Sequence, residues 1–183
     1  MVTNDAGYLF SRKWAMPSSE TFSIPPIRDF VLRHLHGISV DPFARNCQMA
    51  THTNDLNPAT EAGHHMEAVD FLEMLASKGV IADVVLFDPP YSPRQISECY
   101  ASAGITATMV HTQISATMKR CKAAIAGMTR PSSLVLSFGW NSCGMGPEWE
   151  LIELMLCAHG GTHNDTICMA ERRVVQQRRL FDA

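Results

Sequence analysis

An almost continuous apolar run, DVVLF at residues 83–87, leads directly into Asp88, Pro89, Pro90 and Tyr91. Proline lacks an amide donor and has a fixed φ, and the residue before a proline is pushed away from helical angles, so a strand must end here. Such runs are typical of strands buried on both faces of a parallel sheet. Because ligands bind beyond the carboxyl ends of strands in open α/β sheets, we predict a ligand site at residues 88–91. The alternative is a strand-ending turn with a solvated aspartate.

Alternating helix and strand patterns on both sides of this run predict the fold class. Helical patterns occur at residues 23–35, 58–65, 72–79, 92–104 and 111–128, and strand patterns at residues 38–43, 51–55, 66–71, 83–87, 132–138, 151–159 and 166–172. The first twenty residues are expected to be irregular. The last two strands are joined by the short loop GGTHND and must therefore be antiparallel. We predict a doubly wound, mostly parallel α/β sheet with a C-terminal antiparallel hairpin.

The length and the cysteine pattern limit the class of protein. The chain of 183 residues is long enough for one domain with a full-sized core and too short for two, so we expect a single domain over residues 1–183. No apolar run approaches the ~20 residues that span a bilayer, so we expect no membrane partner. The six cysteines are scattered without a C-x-x-C pair and no secretory leader is visible. This pattern predicts reduced thiols in a cytoplasmic protein.

The charge balance restricts how a nucleic acid could be bound. A net charge of -3 provides no overall attraction to phosphate, so such a partner would need a local basic patch. The evident cluster lies near the C-terminus and consists of Arg172, Arg173, Arg178 and Arg179. A solvated tail and a phosphate contact are both consistent with this cluster.

Zinc-type ligands also occur close together near the C-terminus. Cys157, His159, His163 and Cys168 fall within twelve positions. However, residues two apart on a strand point the same way, and HGGTHND is typical of a hairpin turn. We therefore predict no metal site here.

Carboxylates recur where the predicted strands end. Asp41, Asp55, Asp70 and Asp88 each stand at or just after the end of such a strand. In a parallel sheet these four side chains would gather along one edge. A row of acids could bind a metal, cap loops, or bind the hydroxyls and amines of a nucleoside. Any one of them alone is more often a loop-capping aspartate.

The ordered set of motifs resembles S-adenosylmethionine-dependent amino-methyltransferases that act on DNA, specifically the small adenine-specific enzymes of phages and prophages. Their hallmark is D/N/S-P-P-Y/F/W, which here is Asp88-Pro89-Pro90-Tyr91. The upstream matches are TFSIPPI at residues 21–27, the D-P-F motif at residues 41–43, Asp55, and the pair Asp70-Phe71. SRKWAMPS, FDPPYSPRQI, SFGWNS and HNDTI resemble the same small-enzyme pattern. The resemblance extends from about residue 14 to residue 172 and implies a Rossmann-like class I methyltransferase fold.

This resemblance implies a set of residues for the cofactor, S-adenosylmethionine. Asp55 would accept hydrogen bonds from the ribose hydroxyls and Asp70 from the adenine amine, between apolar walls formed by Leu56 and Phe71. Phe43 and Ala44 would lie under the methionine part. The remaining cofactor-binding residues that the resemblance implies are Phe22, Ser23, Ile24, Asp41, Pro42 and Asp88.

The resemblance also implies the catalytic residues, Asp88, Pro89, Pro90 and Tyr91. The amine of a target adenine is a poor nucleophile because its lone pair is delocalised into the ring. Asp88 and the carbonyl of Pro89 would accept both amine protons and free that lone pair, while Tyr91 would stack on the flipped-out base. The chain has no Pro-Cys dipeptide, which cytosine ring-carbon methyltransferases use for their nucleophile.

The chain departs from the family pattern in the cofactor loop. The family has F-x-G-x-G, whereas residues 43–47 are Phe-Ala-Arg-Asn-Cys. Glycine permits a positive φ, and another residue in that conformation costs on the order of 1 kcal/mol. We expect Arg45 to affect cofactor affinity, and Asn46 to tolerate a left-handed conformation.

The resemblance implies DNA as the partner and a bacterial, archaeal or phage-infected cell as the setting. The core uses nearly the whole chain, so we expect no separate target-recognition domain, and either a homodimer or an auxiliary recognition subunit. Two alternatives stay open at this point. One is a degenerate cofactor- or DNA-binding protein on the same fold, and the other is an amino-methyltransferase acting on RNA, on cytosine amines or on protein glutamine.

Overall fold

A computed structural model describes residues 2–3, 7–108 and 114–174 of the chain. The strands within these ranges are β1 (Val2–Thr3), β2 (Leu9–Trp14), β3 (Ser39–Asp41), β4 (His52–Thr53), β5 (Ala82–Phe87), β6 (Thr129–Gly139), β7 (Trp149–Ala158) and β8 (Thr166–Arg173). The helices are α1 (Pro25–His34), α2 (Ala68–Ser77), α3 (Pro93–Ser102) and α4 (Ile114–Gly127), and a short 3₁₀ turn covers Thr21–Ser23.

The strands form a single sheet in the order β1-β2-β7-β8-β6-β5-β3-β4. β4, β3, β5 and β6 are parallel, and β8 is antiparallel to both β6 and β7. β2 pairs in parallel with β7, and β1 is antiparallel to β2. The predicted fold class is therefore confirmed: the sheet is Rossmann-like and mostly parallel, with a C-terminal antiparallel hairpin made by β7 and β8.

One face of the sheet is covered by α1. Pro25 and Pro26 occupy the first turn of this helix, where a missing amide proton costs nothing and the fixed φ is already helical. Ile27, Phe30 and Val31 follow at helical spacing and are fully buried. Their core includes residues of β5, β6, β7 and β8.

The other face of the sheet is covered by α2 and α4, which also pack against each other. Phe71, Leu72 and Leu75 form the buried side of α2, and Cys121 and Ile125 form that of α4. With helices on both faces, β5 is buried on each side, as its apolar run predicts.

Two predicted elements between β4 and α2 are wrong. Residues 58–65 form turns and bends, not a helix, because the side chain of Asn54 holds this loop by donating to the carbonyls of Pro42 and Met66. Residues 66–71 are not a strand, since α2 begins at Ala68 and contains Asp70. The apolar residues from Ala68 to Leu75 recur three and four apart, and this helical spacing prevails over the short apparent alternation.

The N-terminal segment was also predicted incorrectly, because residues 9–14 are not irregular but form β2. The sequence LFSRKW has no clear alternation of apolar and polar residues, so its propensity alone does not indicate a strand. The strand exists because six residue pairs, from Leu9–Glu153 to Trp14–Ala158, align it with β7. Within the described ranges, no helix is both long enough and apolar enough to cross a bilayer.

Candidate functional site

A large cleft opens at the edge of the sheet where the parallel strands end. Its volume is about 950 Å³, near the upper end of the range of about 300 to 1,000 Å³ usual for small-molecule sites. The four residues of the tetrapeptide line it, together with loop residues after β3, β4, β6 and β7 and one side of α3. The predicted position of the ligand site beyond β5 therefore coincides with a real cavity.

Asp88 lies directly after β5 and is largely shielded from solvent. Burial raises the pKa of this carboxyl to about 6, against the opposing effects of hydrogen bonds from the side chains of Thr21 and Tyr91. The hydroxyl of Tyr91 donates to Oδ1 of Asp88 over 3.3 Å. Asp88 is thus a partly desolvated hydrogen-bond acceptor that is mostly ionised at neutral pH.

The two prolines give the site a rigid backbone. Pro89 is buried and Pro90 is half-buried, and both line the cleft. The carbonyl oxygen of Pro89 accepts no hydrogen bond from the described part of the chain. Because proline has a fixed φ, that carbonyl stays available for a ligand without a conformational search.

Tyr91 is held by contacts on three sides. Its backbone amide donates to Oε1 of Gln95 over 2.8 Å. Its ring passes so close to Gly139 that a Cβ there would lie 2.7 Å from a ring carbon. On its other side is Trp140, at 6.1 Å between ring centroids and with planes inclined by 38°. The two rings form a half-open aromatic wall next to Asp88, because Trp140 is 46% exposed.

Asp41 ends β3 beneath the cleft and is completely buried. Its Oδ1 accepts from the amide of Phe43 over 3.0 Å, while Oδ2 has no partner among the described residues. Burial raises the pKa of this carboxyl well above its usual range, and the charges of Asp88 and Asp55 raise it further. Three of the four predicted carboxylates are thus close enough to influence one another.

The loop after β3 adopts the strained conformation that its missing glycine predicts. Arg45, which stands at the first glycine position of the family motif, has a φ of 50°. Asn46 is not among the residues with positive φ, so its tolerance of a left-handed conformation is not used. The Arg45 guanidinium donates to the carbonyl of Ser19 over 2.6 Å and lies 3.3 Å from Oε1 of Glu20. These contacts offset part of the backbone strain.

Asp55 lies two residues after β4, and its side chain caps the loop that follows β3. Its Oδ2 accepts from the amide of Arg45 over 3.2 Å and its Oδ1 accepts from the amide of Asn57 over 2.8 Å. The side chain is half-buried and lines the cleft. Asp55 therefore both orders the loop and presents carboxylate lone pairs to the cavity.

A second, smaller cavity of about 320 Å³ adjoins the main cleft at Asp88. Residues shared by both cavities include Thr21, Phe43 and Arg45. The smaller cavity is also lined by Phe22, Ser23 and Ala44. The two cavities together form an elongated site that runs past Asp88.

The predicted site residues divide into two groups. Those that line one or both cavities are Phe22, Ser23, Ile24, Pro42, Phe43, Ala44, Asp55, Leu56, Asp88, Pro89, Pro90 and Tyr91. Those that line neither are Asp41, Asp70 and Phe71. Asp70 is exposed in the first turn of α2, and Phe71 is in the core with its ring against His64. The geometry offers no support for a cofactor contact by Asp70.

Several residues that line the cleft were not among the predicted site residues, and four of them are Glu67, Tyr100, Trp140 and His159. Glu67 precedes α2 and accepts a hydrogen bond of 2.6 Å from the hydroxyl of Tyr100 on α3. Trp140 and His159 lie after β6 and β7. A systematic survey of the residues after every strand would have found Trp140 and His159, whereas Glu67 and Tyr100 meet only through helix packing.

His159 is buried, and both of its ring nitrogens have protein partners. Nδ1 lies 2.9 Å from the carbonyl oxygen of Ala15 and must donate to it, and Nε2 lies 2.9 Å from Oγ1 of Thr166. Neither nitrogen is free to bind zinc. Among the described residues, no group of three or more histidine, cysteine or acidic side chains is arranged to hold a metal ion.

Two of the four C-terminal arginines, Arg172 and Arg173, lie at the opposite edge of the sheet. Because β8 is antiparallel to β6, Arg172 and Arg173 are far from the ends of the parallel strands. Arg172 pairs with Glu150 over 2.7 Å, and Arg173 hydrogen-bonds the carbonyls of Ala126 and Thr129. These two residues are therefore structural, and a phosphate contact next to the cleft is excluded for them. Arg178 and Arg179 lie outside the described residues.

No family model matches the sequence, and no curated protein matches it. Among solved structures, the fold is similar to that of a SAM-dependent methyltransferase from Agrobacterium tumefaciens, with 10% sequence identity and a TM-score of 0.43. The similarity covers 80% of this chain and 59% of the other, so the chain spans somewhat more than half the length of that protein. We therefore base the functional proposal on the geometry of the site.

Proposed function

We propose that this protein transfers a methyl group from S-adenosylmethionine to the exocyclic amine of adenine in DNA. One observation carries the proposal: the carboxylate of Asp88 and the carbonyl of Pro89 stand together in a cleft, next to the aromatic wall of Tyr91 and Trp140. These are two hydrogen-bond acceptors and a stacking surface, the groups that an aromatic amine requires.

The chemistry follows from the properties of these groups. An exocyclic amine has two protons, and a carboxylate and a carbonyl next to each other can accept a hydrogen bond from each. The amine nitrogen then becomes more tetrahedral, and its lone pair would attack the methyl group as the methyl–sulfur bond breaks. The sulfur would leave as a neutral thioether, and the extra proton of the methylated amine would pass to Asp88. Asp88 is suited to this role because its pKa of about 6 leaves it ionised at neutral pH while its burial keeps it poorly solvated. No covalent intermediate on the protein is needed.

The cofactor site is proposed to run across both cavities. The side chains that line the cavities are appropriate for a nucleoside with an amino-acid part. The carboxylate of Asp55 can accept hydrogen bonds from hydroxyl groups, and Phe43 lies between the two cavities. S-adenosylmethionine would supply an electrophilic methyl group there. Glu67 lines the cleft, whereas Asp70 does not.

A target base would have to leave the DNA helix to reach Asp88. Enzymes that modify a base within a duplex extrude it into a pocket and stack it on aromatic side chains. Tyr91 and Trp140 provide such a surface, and Trp140 is half-open to the mouth of the cleft. This placement favours a nucleic-acid base over a freely diffusing small molecule.

Specificity is proposed to be limited. Each good bidentate contact to a base edge contributes about 1 to 3 kcal/mol of discrimination, and few such contacts fit on short loops. We expect a short recognition sequence, or a second subunit that completes the recognition surface. Sequencing of methylated DNA for the context of modified bases tests this, and a long, stringent site methylated by a monomer would contradict it.

The reaction itself is tested by incubating the protein with labelled S-adenosylmethionine and unmodified DNA, followed by nucleoside analysis. We expect N6-methyladenine, and none with Asp88→Ala. If methylated cytosine, RNA or protein glutamine were found instead, the proposed acceptor would be wrong and the proposed methyl-transfer chemistry would be kept. Cofactor binding without any methyl transfer would instead favour a binding protein on this fold.

A further inference from the structure

The N-terminal strand β2 ends in an exposed aromatic side chain preceded by two cations. Trp14 is 62% exposed, and Arg12 and Lys13 are exposed as well. Because β2 is parallel to β7, and β7 has the same direction as β6 and β5, Trp14 lies at the edge of the sheet where Asp88 ends β5. Tryptophan is enriched at interfaces, where its apolar ring and its indole N–H can both find partners.

Trp14 adjoins the wall of the cleft. A Cβ on Gly160 would lie 3.3 Å from Nε1 of the Trp14 indole, so the indole lies beside the backbone of the loop between β7 and β8. Thr162, His163 and Asn164 of the same loop line the cleft. The exposed indole is therefore continuous with the proposed active site and not an isolated surface residue.

The charge around Trp14 favours a polyanion. Residues 7–19 contain Arg12 and Lys13 and no acidic residue. Within the described ranges, neither cation forms an ion pair. Unpaired cations next to an exposed aromatic ring are the usual components of nucleic-acid surfaces, where cations meet phosphates and the ring meets a base or sugar.

The strand order sets the distance between this surface and the catalytic group. β2 and β5 are separated by β7, β8 and β6, which makes four interstrand spacings. At about 4.8 Å each, these amount to roughly 19 Å across the sheet, and the register places Trp14 three residues, or about 10 Å, beyond the level of Asp88. The two residues are therefore roughly 21 Å apart, which in duplex DNA corresponds to about six base steps of about 3.4 Å.

We propose that Arg12, Lys13 and Trp14 form a DNA-docking strip that contacts the duplex about six base pairs from the methylated adenine. This inference rests on the proposed function, because it takes the flipped base at Asp88 as its reference point. Arg12 and Lys13 contact phosphates, and Trp14 packs on a sugar or base of the flanking DNA. The strip supplies affinity and register, which the short loops of the cleft cannot provide alone.

The test measures binding of fluorescein-labelled duplexes by the full chain and its variants. Trp14→Ala should weaken binding roughly tenfold, as expected for losing one aromatic contact to a base or sugar. The double variant Arg12→Gln, Lys13→Gln should reduce the slope of log Kd against log salt by about two. Phe10→Ala is the matched control, because Phe10 is 41% exposed on the same face of β2 but four residues nearer the opposite edge. It should bind DNA like the unmodified protein.

Duplex length provides a second, independent readout. The effect of Trp14→Ala should appear with duplexes that extend at least about eight base pairs beyond the target adenine on each side, and vanish when they extend only about three. If the Trp14→Ala variant and the unmodified protein bound the long duplex equally well, the proposal that the strip contacts DNA would be wrong. It would also be wrong if light scattering detected a dimer that Trp14→Ala dissociates, since a second copy would then cover this surface.

The strip and the proposed reaction fail in different ways. If the protein binds DNA through Trp14 but yields no methylated base, the proposed reaction is wrong and the proposed DNA-docking strip is supported. If it methylates adenine while Trp14→Ala changes neither DNA affinity nor its length dependence, the strip is wrong and the reaction stands. Affinity for S-adenosylmethionine alone, measured by calorimetry, should be unchanged in every strip variant.

Discussion

The hydroxyl of Tyr91 donates a hydrogen bond to Oδ1 of Asp88 over 3.3 Å, joining the two ends of the tetrapeptide that follows β5. Between them, two prolines hold the backbone, and Gln95 accepts from the amide of Tyr91. The unit is thus organised before any ligand binds. Preorganised acceptors avoid the cost of reorganisation at the moment of reaction.

Asp88→Ala should abolish methyl transfer, by at least about a hundredfold, because it removes one of the two hydrogen-bond acceptors proposed for the amine protons. Cofactor binding should persist, since the proposed cofactor contacts are mainly elsewhere. Single-turnover assays and calorimetry measure the two quantities separately. Asp29→Ala, at an exposed position on α1, is the control. Near-normal turnover by Asp88→Ala would show that the assigned mechanism is wrong.

The raised pKa of Asp88 predicts two opposite pH effects. The rate should increase with pH through about 6 and level off above 7, because the ionised form is the acceptor. Stability should change in the other direction: the folded state holds the proton more tightly than the unfolded state, so Asp88 lowers the free energy of unfolding as pH rises from about 4 to 6. Asp88→Asn should therefore be more stable at pH 7, by no more than about 3 kcal/mol. Chemical denaturation at pH 4 and pH 7 measures this, and an identical difference at both pH values would contradict it.

Gly139→Ala should displace the ring of Tyr91, because the added Cβ would lie 2.7 Å from a ring carbon. We expect a large loss of methyl transfer with little change in cofactor affinity. Gly127→Ala at the end of α4 is the matched control, since nothing beyond its own helix and chain neighbours lies within 4 Å of the added methyl group. If both variants kept full activity, the position of Tyr91 would not matter for the reaction.

Two substitutions of Arg45 separate the effect of backbone strain from the effect of side-chain contacts. Arg45→Ala and Arg45→Gly both lose the contacts to Ser19 and Glu20, but only glycine relieves the φ of 50°. We expect the glycine variant to be about 1 kcal/mol more stable than the alanine variant, and its cofactor affinity not to fall below that of the unmodified protein. Thermal denaturation and calorimetry test both points. A large loss of affinity in Arg45→Gly, with an intact fold, would identify the arginine as a direct ligand contact.

Asp55→Ala should weaken cofactor binding by about 1 to 3 kcal/mol through lost hydrogen bonds. It should also destabilise the loop, because two backbone amides lose their acceptor. The sequence predicts a similar effect for Asp70→Ala, whereas its exposed position on α2 predicts almost none. Calorimetric measurement of cofactor affinity in both variants decides between the two expectations. Equal losses of affinity would show that Asp70 does contact the cofactor.

Local chemistry explains which parts of the site could be predicted from sequence. The end of β5 at Asp88 follows from the two prolines, whose constraints act on neighbouring residues in any fold. The start of α1 at Pro25 and Pro26 was predicted correctly for the same reason, and the hairpin of β7 and β8 was predicted correctly from the short loop that joins them. The strain in the loop after β3 was expected from its missing glycines, and it occurs at Arg45, which stands at the first of them.

Contacts between distant segments decided the rest. β2 is a strand because β7 lies beside it, more than a hundred residues away, and α2 includes Asp70 because its apolar side packs on the sheet. The same packing moved Asp70 out of the cleft and brought Glu67 and Tyr100 into it. Sequence therefore determined where the chain turns and which acceptors follow β5, since those depend on bonded neighbours. Tertiary structure decided which side chains surround them, because burial and pairing energies depend on residues far apart in the chain.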